Sequence, residues 1–203
     1  MEDFNKDLGN NNEDLEPEDE ESSGFELYDW IQCFISAIVI GILIFMFLFR
    51  VITVDGSSMY PTLYHGDKII MSNLFFSPSY GDVVVLRADN FSSSPLVKRV
   101  IATEGQTVDI DFEKGIVYVD GMALDEEYVA SPTYAVEDFD GPVTVPEGCV
   151  FVMGDNRNAS TDSRTADIGM VDERAILGKV YFIFFPGTGT EDSRDFSRIG
   201  SVY

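Results

Sequence analysis

Leu96-Val97-Lys98-Arg99-Val100-Ile101-Ala102 is an apolar, Val- and Ile-rich run with a pair of cations at its centre. Such residues fit the pleated, half-buried surface of a strand. Runs of the same kind lie on either side. Val51–Val54, Lys68–Met71 and Asp82–Leu86 precede it, and Thr107–Asp111, Ile116–Val119, Cys149–Met153 and Gly178–Phe185 follow. Gly and Asp punctuate them at His65-Gly66-Asp67, Tyr80-Gly81-Asp82, Glu113-Lys114-Gly115 and Asp120-Gly121, the usual marks of turns. Asp111-Phe112-Glu113-Lys114-Gly115, between two runs, predicts a hairpin loop. No helical period extends over ten residues in this part of the chain. The expected fold is therefore mostly β, an antiparallel sheet forming a barrel-like or packed-sheet domain. Residues 187–203, a mixture of Gly, Ser and charge, read as a loose tail.

Ahead of the strands stands a different kind of segment. Trp30 to Phe49 is twenty residues without a charge, about 30 Å as a helix and so matched to a hydrocarbon core. Tyr28 and Trp30 suit one interface and Arg50 the other. No polar face exists, which argues against a buried core helix. An acidic segment precedes it in place of a basic one, and no small-x-small site follows, which argues against a cleaved leader. The expected organisation is an acidic, disordered tail over 1–29, a transmembrane helix over 30–50 and a folded domain over 51–203. The tail carries twelve acidic residues against Lys6, too few apolar groups to fold alone. Lys6 before the helix, against Arg50 and Lys68 after it, favours a cytoplasmic C-terminal side on the count of positives alone.

Composition excludes several function classes. The net charge is −23 and no basic stripe is present, so nucleic acid is not an expected partner. Cys33 and Cys149 sit far apart, and His65 is the only histidine. No metal-ligand cluster can be drawn from them, and no cofactor or metal is expected.

Three stretches carry chemistry: Gly56-Ser57-Ser58-Met59-Tyr60-Pro61-Thr62-Leu63, the Lys98 run, and Gly154-Asp155-Asn156-Arg157-Asn158-Ala159-Ser160-Thr161-Asp162-Ser163-Arg164. A serine hydroxyl needs a neighbouring base to become a nucleophile. His65 follows Ser58 by only seven residues and precedes a Gly-Asp turn. A lysine can serve instead if burial lowers its pKa. Lys68 abuts Asp67 and Lys114 sits in a turn, both solvated positions; Lys179 follows Gly178 on an apolar run. Lys98, between Val97 and Val100-Ile101, is the best candidate on local grounds. The competing reading is a strand lysine that snorkels to solvent and a serine-rich turn.

The combination resembles the bacterial type I signal peptidases, in their short Gram-positive form. Ser58-Met59-Tyr60-Pro61-Thr62-Leu63 resembles their nucleophile box and Tyr80-Gly81-Asp82-Val83-Val84-Val85 the next. Val97-Lys98-Arg99-Val100-Ile101 resembles the general-base box, and Gly154-Asp155-Asn156-Arg157 with Ser160, Asp162, Ser163 and Arg164 the last. Val117-Tyr118-Val119-Asp120-Gly121 is similar to the family's hairpin. The resemblance covers most of residues 52–185.

It implies a membrane-bound serine endopeptidase that removes signal peptides from exported precursors, cutting after small-x-small motifs. Ser58 matches the nucleophile, Lys98 the general base and Ser160 the hydroxyl that orients the lysine. The Ser58 backbone N–H matches half of the oxyanion hole. Many members place a hydroxyl two residues before the nucleophile; Gly56 stands there in this chain, so a backbone donor must substitute, with Ser57 the alternative. Asp155, Arg157, Asp162 and Arg164 match a loop-bracing polar network. The implied partners are precursor proteins and membrane lipid. The implied location is the cell membrane, single-pass, with a cytoplasmic N-terminus and an extracytoplasmic catalytic domain, against the charge count. A soluble Ser/Lys autoprotease of the SOS-repressor type shares the dyad but would carry a regulatory domain and a cleavable hinge in place of a membrane helix.

Overall fold

A computed structural model describes residues 20–88, 90–188 and 193–202. The acidic tail, up to residue 19, lies outside the described residues. The chain divides into two units, one ending at Phe45 and one running from Met46 onward.

The first element is α1, Glu20–Leu48. It starts well before Trp30, so part of the stretch expected to be tail is helical. From Leu27 to Leu48 the helix has a mean hydropathy of 2.7 and none of it is buried. That is long and apolar enough to cross a membrane.

Among the described residues twelve strands follow: β1 Arg50–Thr53, β2 Lys68–Ser72, β3 Val83–Leu86, β4 Leu96–Thr103, β5 Thr107–Asp111, β6 Ile116–Val119, β7 Met122–Ala123, β8 Val143–Thr144, β9 Cys149–Met153, β10 Val171–Asp172, β11 Ile176–Phe185 and β12 Gly200–Ser201. Every pairing among them is antiparallel. One sheet runs β1-β2-β11-β3-β4-β9-β10, with β12 on β11, and a smaller one runs β7-β6-β5-β8. The mostly β, antiparallel expectation is met. Each of the eight strand-like runs in the sequence became a strand. The four that sequence did not reveal are two residues long, too short to show a period of two.

β4 lies inside the large sheet, between β3 and β9. Successive side chains alternate faces, yet Lys98 through Ala102 are all buried, because the sheet is covered on both sides there. Val84, Leu86, Val100, Val150, Val152 and Ile176 form one apolar cluster, and Val54, Met59, Leu63, Ile69, Val83 and Val180 another.

The C-terminal segment corrects the loose-tail expectation for its described residues. β12 pairs with Phe182 and Ile183 of β11, Val202 is buried in the core, and Arg198 grips the Asp67 carboxylate at 2.7 and 3.0 Å. Polar composition hid one apolar anchor and one ion pair.

Candidate active site

Lys98 stands opposite Val84 of β3 and shares its strand face with Leu96 and Val100. It is 3% exposed. Burial pulls its ammonium down from 10.5 to about 8. The carboxylates of Asp162 and Asp155 resist that shift, and the Arg164 guanidinium adds to it. Of the four lysines after the helix it alone is buried: Lys68 and Lys114 are exposed, and Lys179 forms an ion pair with Asp82 at 2.6 Å.

A directional chain of hydrogen bonds starts at the amine. Lys98 Nζ donates to Ser160 Oγ at 3.0 Å, and the Ser160 hydroxyl donates to Asp162 Oδ2 at 2.8 Å. Asp162 also accepts from Gly154 N–H at 3.0 Å and from Arg164 Nε at 2.8 Å. Ser163 is spent elsewhere, its hydroxyl accepting from Val152 N–H at 2.9 Å.

Ser58 sits on the loop between β1 and β2, half-buried, because Met59 and Leu63 on either side of the following turn are driven into the core. Its carbonyl accepts from Asn156 N–H at 3.0 Å, and Asn156 Nδ2 donates to Ser57 O at 3.2 Å. Gly154 fixes how close the two serines come. A Cβ there would lie 2.2 Å from Ser160 Oγ and 2.4 Å from Ser58 O, so only a hydrogen at this position lets the Ser58 loop and the Ser160 loop meet. Ser58 and Ser160 thus meet across Gly154, and Lys98 is tied to this point through Ser160, although the three are distant in sequence.

Gly56, with φ +95°, donates its N–H to His65 Nδ1 at 3.2 Å. His65 is 63% exposed at its side chain and is engaged there rather than with Ser58.

The four charged residues expected to brace one loop are paired separately. Arg164 binds Asp162 within the loop, Asp155 takes a two-pronged grip from Arg99 at 2.8 and 2.7 Å, and Arg157 grips Glu126 at 2.7 and 2.5 Å. Asp155 also bonds the Thr62 hydroxyl, tying the nucleophile loop to the loop after β9. Arg99, Thr62, Asn156, Glu126 and Tyr128 are contributors that sequence reading left without a role. Tyr128 lies under Arg99 at 4.0 Å and donates to Glu126 at 2.9 Å. Burial, then the Glu126 carboxylate, pushes its phenol up, so it stays a donor. A cavity of about 670 Å3 opens beside this pair, lined by Thr62, Tyr80, Arg99, Tyr128 and Arg198 among others; Ser58, Lys98 and Ser160 do not border it.

The profile described as "Signal peptidase, peptidase S26" matches residues 27–185. The chain belongs to that family. Signal peptidase I of Bacillus amyloliquefaciens is 38% identical, over 78% of this chain and 86% of the relative. Signal peptidase I S of Bacillus subtilis (strain 168) is 34% identical, over 79% and 90%. A probable signal peptidase I-1 of Synechocystis is 37% identical, over 75% and 79%. This signal peptidase is accordingly a serine endopeptidase acting on the signal peptides of secreted precursors. Its four sequence boxes map onto the β1–β2 loop, β3 with the turn before it, β4, and the loop after β9.

Proposed function

We propose that this signal peptidase cleaves its precursors with Ser58 as nucleophile and neutral Lys98 as general base. Ser160 points the lysine and the Ser58 N–H binds the oxyanion. The observation that carries the reading is the buried Lys98, drawn down to about 8 by desolvation and held at 3.0 Å by Ser160. Because the amine donates to Ser160, and Ser160 in turn to Asp162, the lone pair of the neutral amine is left free for another proton.

The step follows from that. Lys98 takes the Ser58 proton as Oγ attacks the carbonyl of the scissile bond, and the tetrahedral oxyanion settles against the Ser58 N–H. The ammonium returns its proton to the departing amine. A water, deprotonated by the same lysine, then hydrolyses the acyl-enzyme. Precursors bind extended beside the chain around Ser58 and Lys98, as an added strand, with small side chains at the first and third positions before the cut. Leu27–Leu48 spans the membrane with the N-terminus cytoplasmic, so the strands lie where exported precursors emerge.

The test is cleavage of a model precursor by the full chain in detergent. Ser58→Ala and Lys98→Ala should each abolish turnover, and the double variant should lose little more than either alone. The wild-type kcat/KM should rise with pH and level above about 8, where Lys98 is neutral. Near-full activity of Lys98→Ala, or a profile still climbing at pH 10, excludes Lys98 as the base.

A further inference from the structure

The loop that carries Ser58 is closed at a narrow neck. Val54 N–H donates to Asp67 O at 2.8 Å, Gly66 N–H to Val54 O at 2.8 Å, and Gly56 N–H to His65 Nδ1 at 3.2 Å. The same imidazole nitrogen stands 3.2 Å from Asp55 Oδ1. One nitrogen cannot serve both partners in one protonation state. To accept from Gly56 it must be bare, with the proton on Nε2; to bond the Asp55 carboxylate it must carry a proton itself. The first contact therefore belongs to the neutral ring with its proton on Nε2, and the imidazolium, protonated at both nitrogens, can make only the second.

We propose that His65 is a positioning residue of this peptidase, whose neutral ring holds the Gly56 peptide in place behind Ser58 and whose protonation hands Nδ1 to Asp55 and releases that peptide. The inference rests on Ser58 being the nucleophile. Gly56 needs the hold. Its φ of +95° lies in a region that favours glycine, and the residue has no side chain that packing could hold. Releasing it loosens the backbone that leads through Ser57 to the Ser58 N–H, the proposed oxyanion donor. Histidine is the side chain that changes charge in mild acid, and at 63% exposure it exchanges protons with bulk water.

Among the described residues, the surrounding charges leave Asp55 as the partner. Asp55 is 96% exposed at its side chain and free to move toward the ring. Asp67, on the far strand of the neck, is committed to Arg198 at 2.7 and 3.0 Å and to Gly187 N–H at 2.7 Å. Arg198 lies over Tyr64, 3.6 Å from its ring centre. Gly187 packs against the His65 carbonyl and brings no charge. Lys68 is exposed in β2, opposite Thr53.

The experiment compares kcat/KM of the full chain in detergent with that of His65→Asn from pH 5 to 9. An asparagine side chain can accept from Gly56 N–H but does not titrate. Taking the ratio of the two cancels the titration of Lys98, which both share. Expected is a wild-type to His65→Asn ratio near one at pH 8 that falls about threefold to tenfold by pH 5, the rate equivalent of one hydrogen bond. His65→Ala, which holds nothing, should lose about the same factor at every pH. A flat wild-type to His65→Asn ratio, or equal activity of His65→Ala and His65→Asn, overturns the proposal. A separate reading needs no turnover. In Ser58→Ala labelled with 15N-glycine, the Gly56 amide should titrate together with the His65 ring. If that titration is seen but Ser58→Ala still cleaves, the nucleophile assignment has failed and the latch has not; if Gly56 ignores the ring, the latch itself is wrong.

Discussion

A lysine kept at 3% exposure should destabilise the protein that uses it. Folding lowers the pKa of Lys98 from 10.5 to about 8. The unfolded chain therefore binds more protons between those values, and stability rises with pH across that window. Below about 8 the folded state bears the whole penalty of a buried ammonium; above 10.5 it bears none. At 1.36 kcal/mol per unit the penalty is about 3 kcal/mol at pH 7, about 2 at pH 9 and less than about 1 at pH 10. Lys98→Met keeps an unbranched stem one atom shorter and removes the charge, but forfeits one hydrogen bond to Ser160, about 1 kcal/mol. The variant should be inactive and, at pH 7, more stable by about 2 kcal/mol, with the advantage gone by about pH 10. Urea titrations of both full chains in the same detergent, followed by near-UV circular dichroism, measure the difference. A gap that does not change with pH, or a Met variant that is less stable at pH 7, would show that Lys98 is not held against its charge and that the base assignment lacks its physical ground.

Two further expectations concern the packing around the site. Gly154→Ala places a Cβ within 2.2 Å of Ser160 Oγ and 2.4 Å of Ser58 O; it should cut turnover at least about a hundredfold in a protein that still folds, checked by precursor cleavage beside circular dichroism. Glu126→Gln strips the counter-charge from Arg157, which is fully buried with its Nε already unpartnered; it should cost about 3–5 kcal/mol in the same urea titration, whereas Glu127→Gln, on an exposed neighbour, should cost almost nothing.

That last contrast shows where sequence reading stops. Asp125, Glu126 and Glu127 are three acids in a row in a stretch without period, and nothing local tells which one turns inward to meet Arg157, 31 positions away. Arg99 was likewise visible as a cation beside Lys98, but its partner Asp155 is 56 residues on, and strand alternation alone sends the two cations to opposite faces without naming what waits there. Lys98 itself was legible, because a charge inside an apolar strand run has to be explained. The roles proposed for Ser58 and Ser160 come only from the family resemblance, since hydroxyls in polar turns are common. The eight longer strands carried their own signal in Val and Ile content. The two-residue strands exist because neighbours supply pairing partners, which is information no window of sequence contains. In the same way Val202 reads as part of a polar tail until β11 gives it a core to enter.

The pairing of the acids explains how the Lys98 amine can be pulled down at all. Two carboxylates, Asp162 and Asp155, act on Lys98, and each pulls its pKa upward. Left bare, they would favour the ammonium and oppose desolvation. Neither is bare. Arg164 holds Asp162 at 2.8 and 2.9 Å, and Arg99 holds Asp155 at 2.8 and 2.7 Å. A carboxylate paired with a guanidinium presents a dipole, not a net charge, to a third group, and its pull falls off faster with distance. Arg164 goes further and lowers Lys98 directly. The arginines of this site therefore do two things with one set of bonds. They fasten the loop after β9 to itself and to β4, and they cancel the anions that the loop needs for its hydrogen bonds. Desolvation is then left as the dominant influence on the lysine, and the residue that bonds it at close range, Ser160, is neutral.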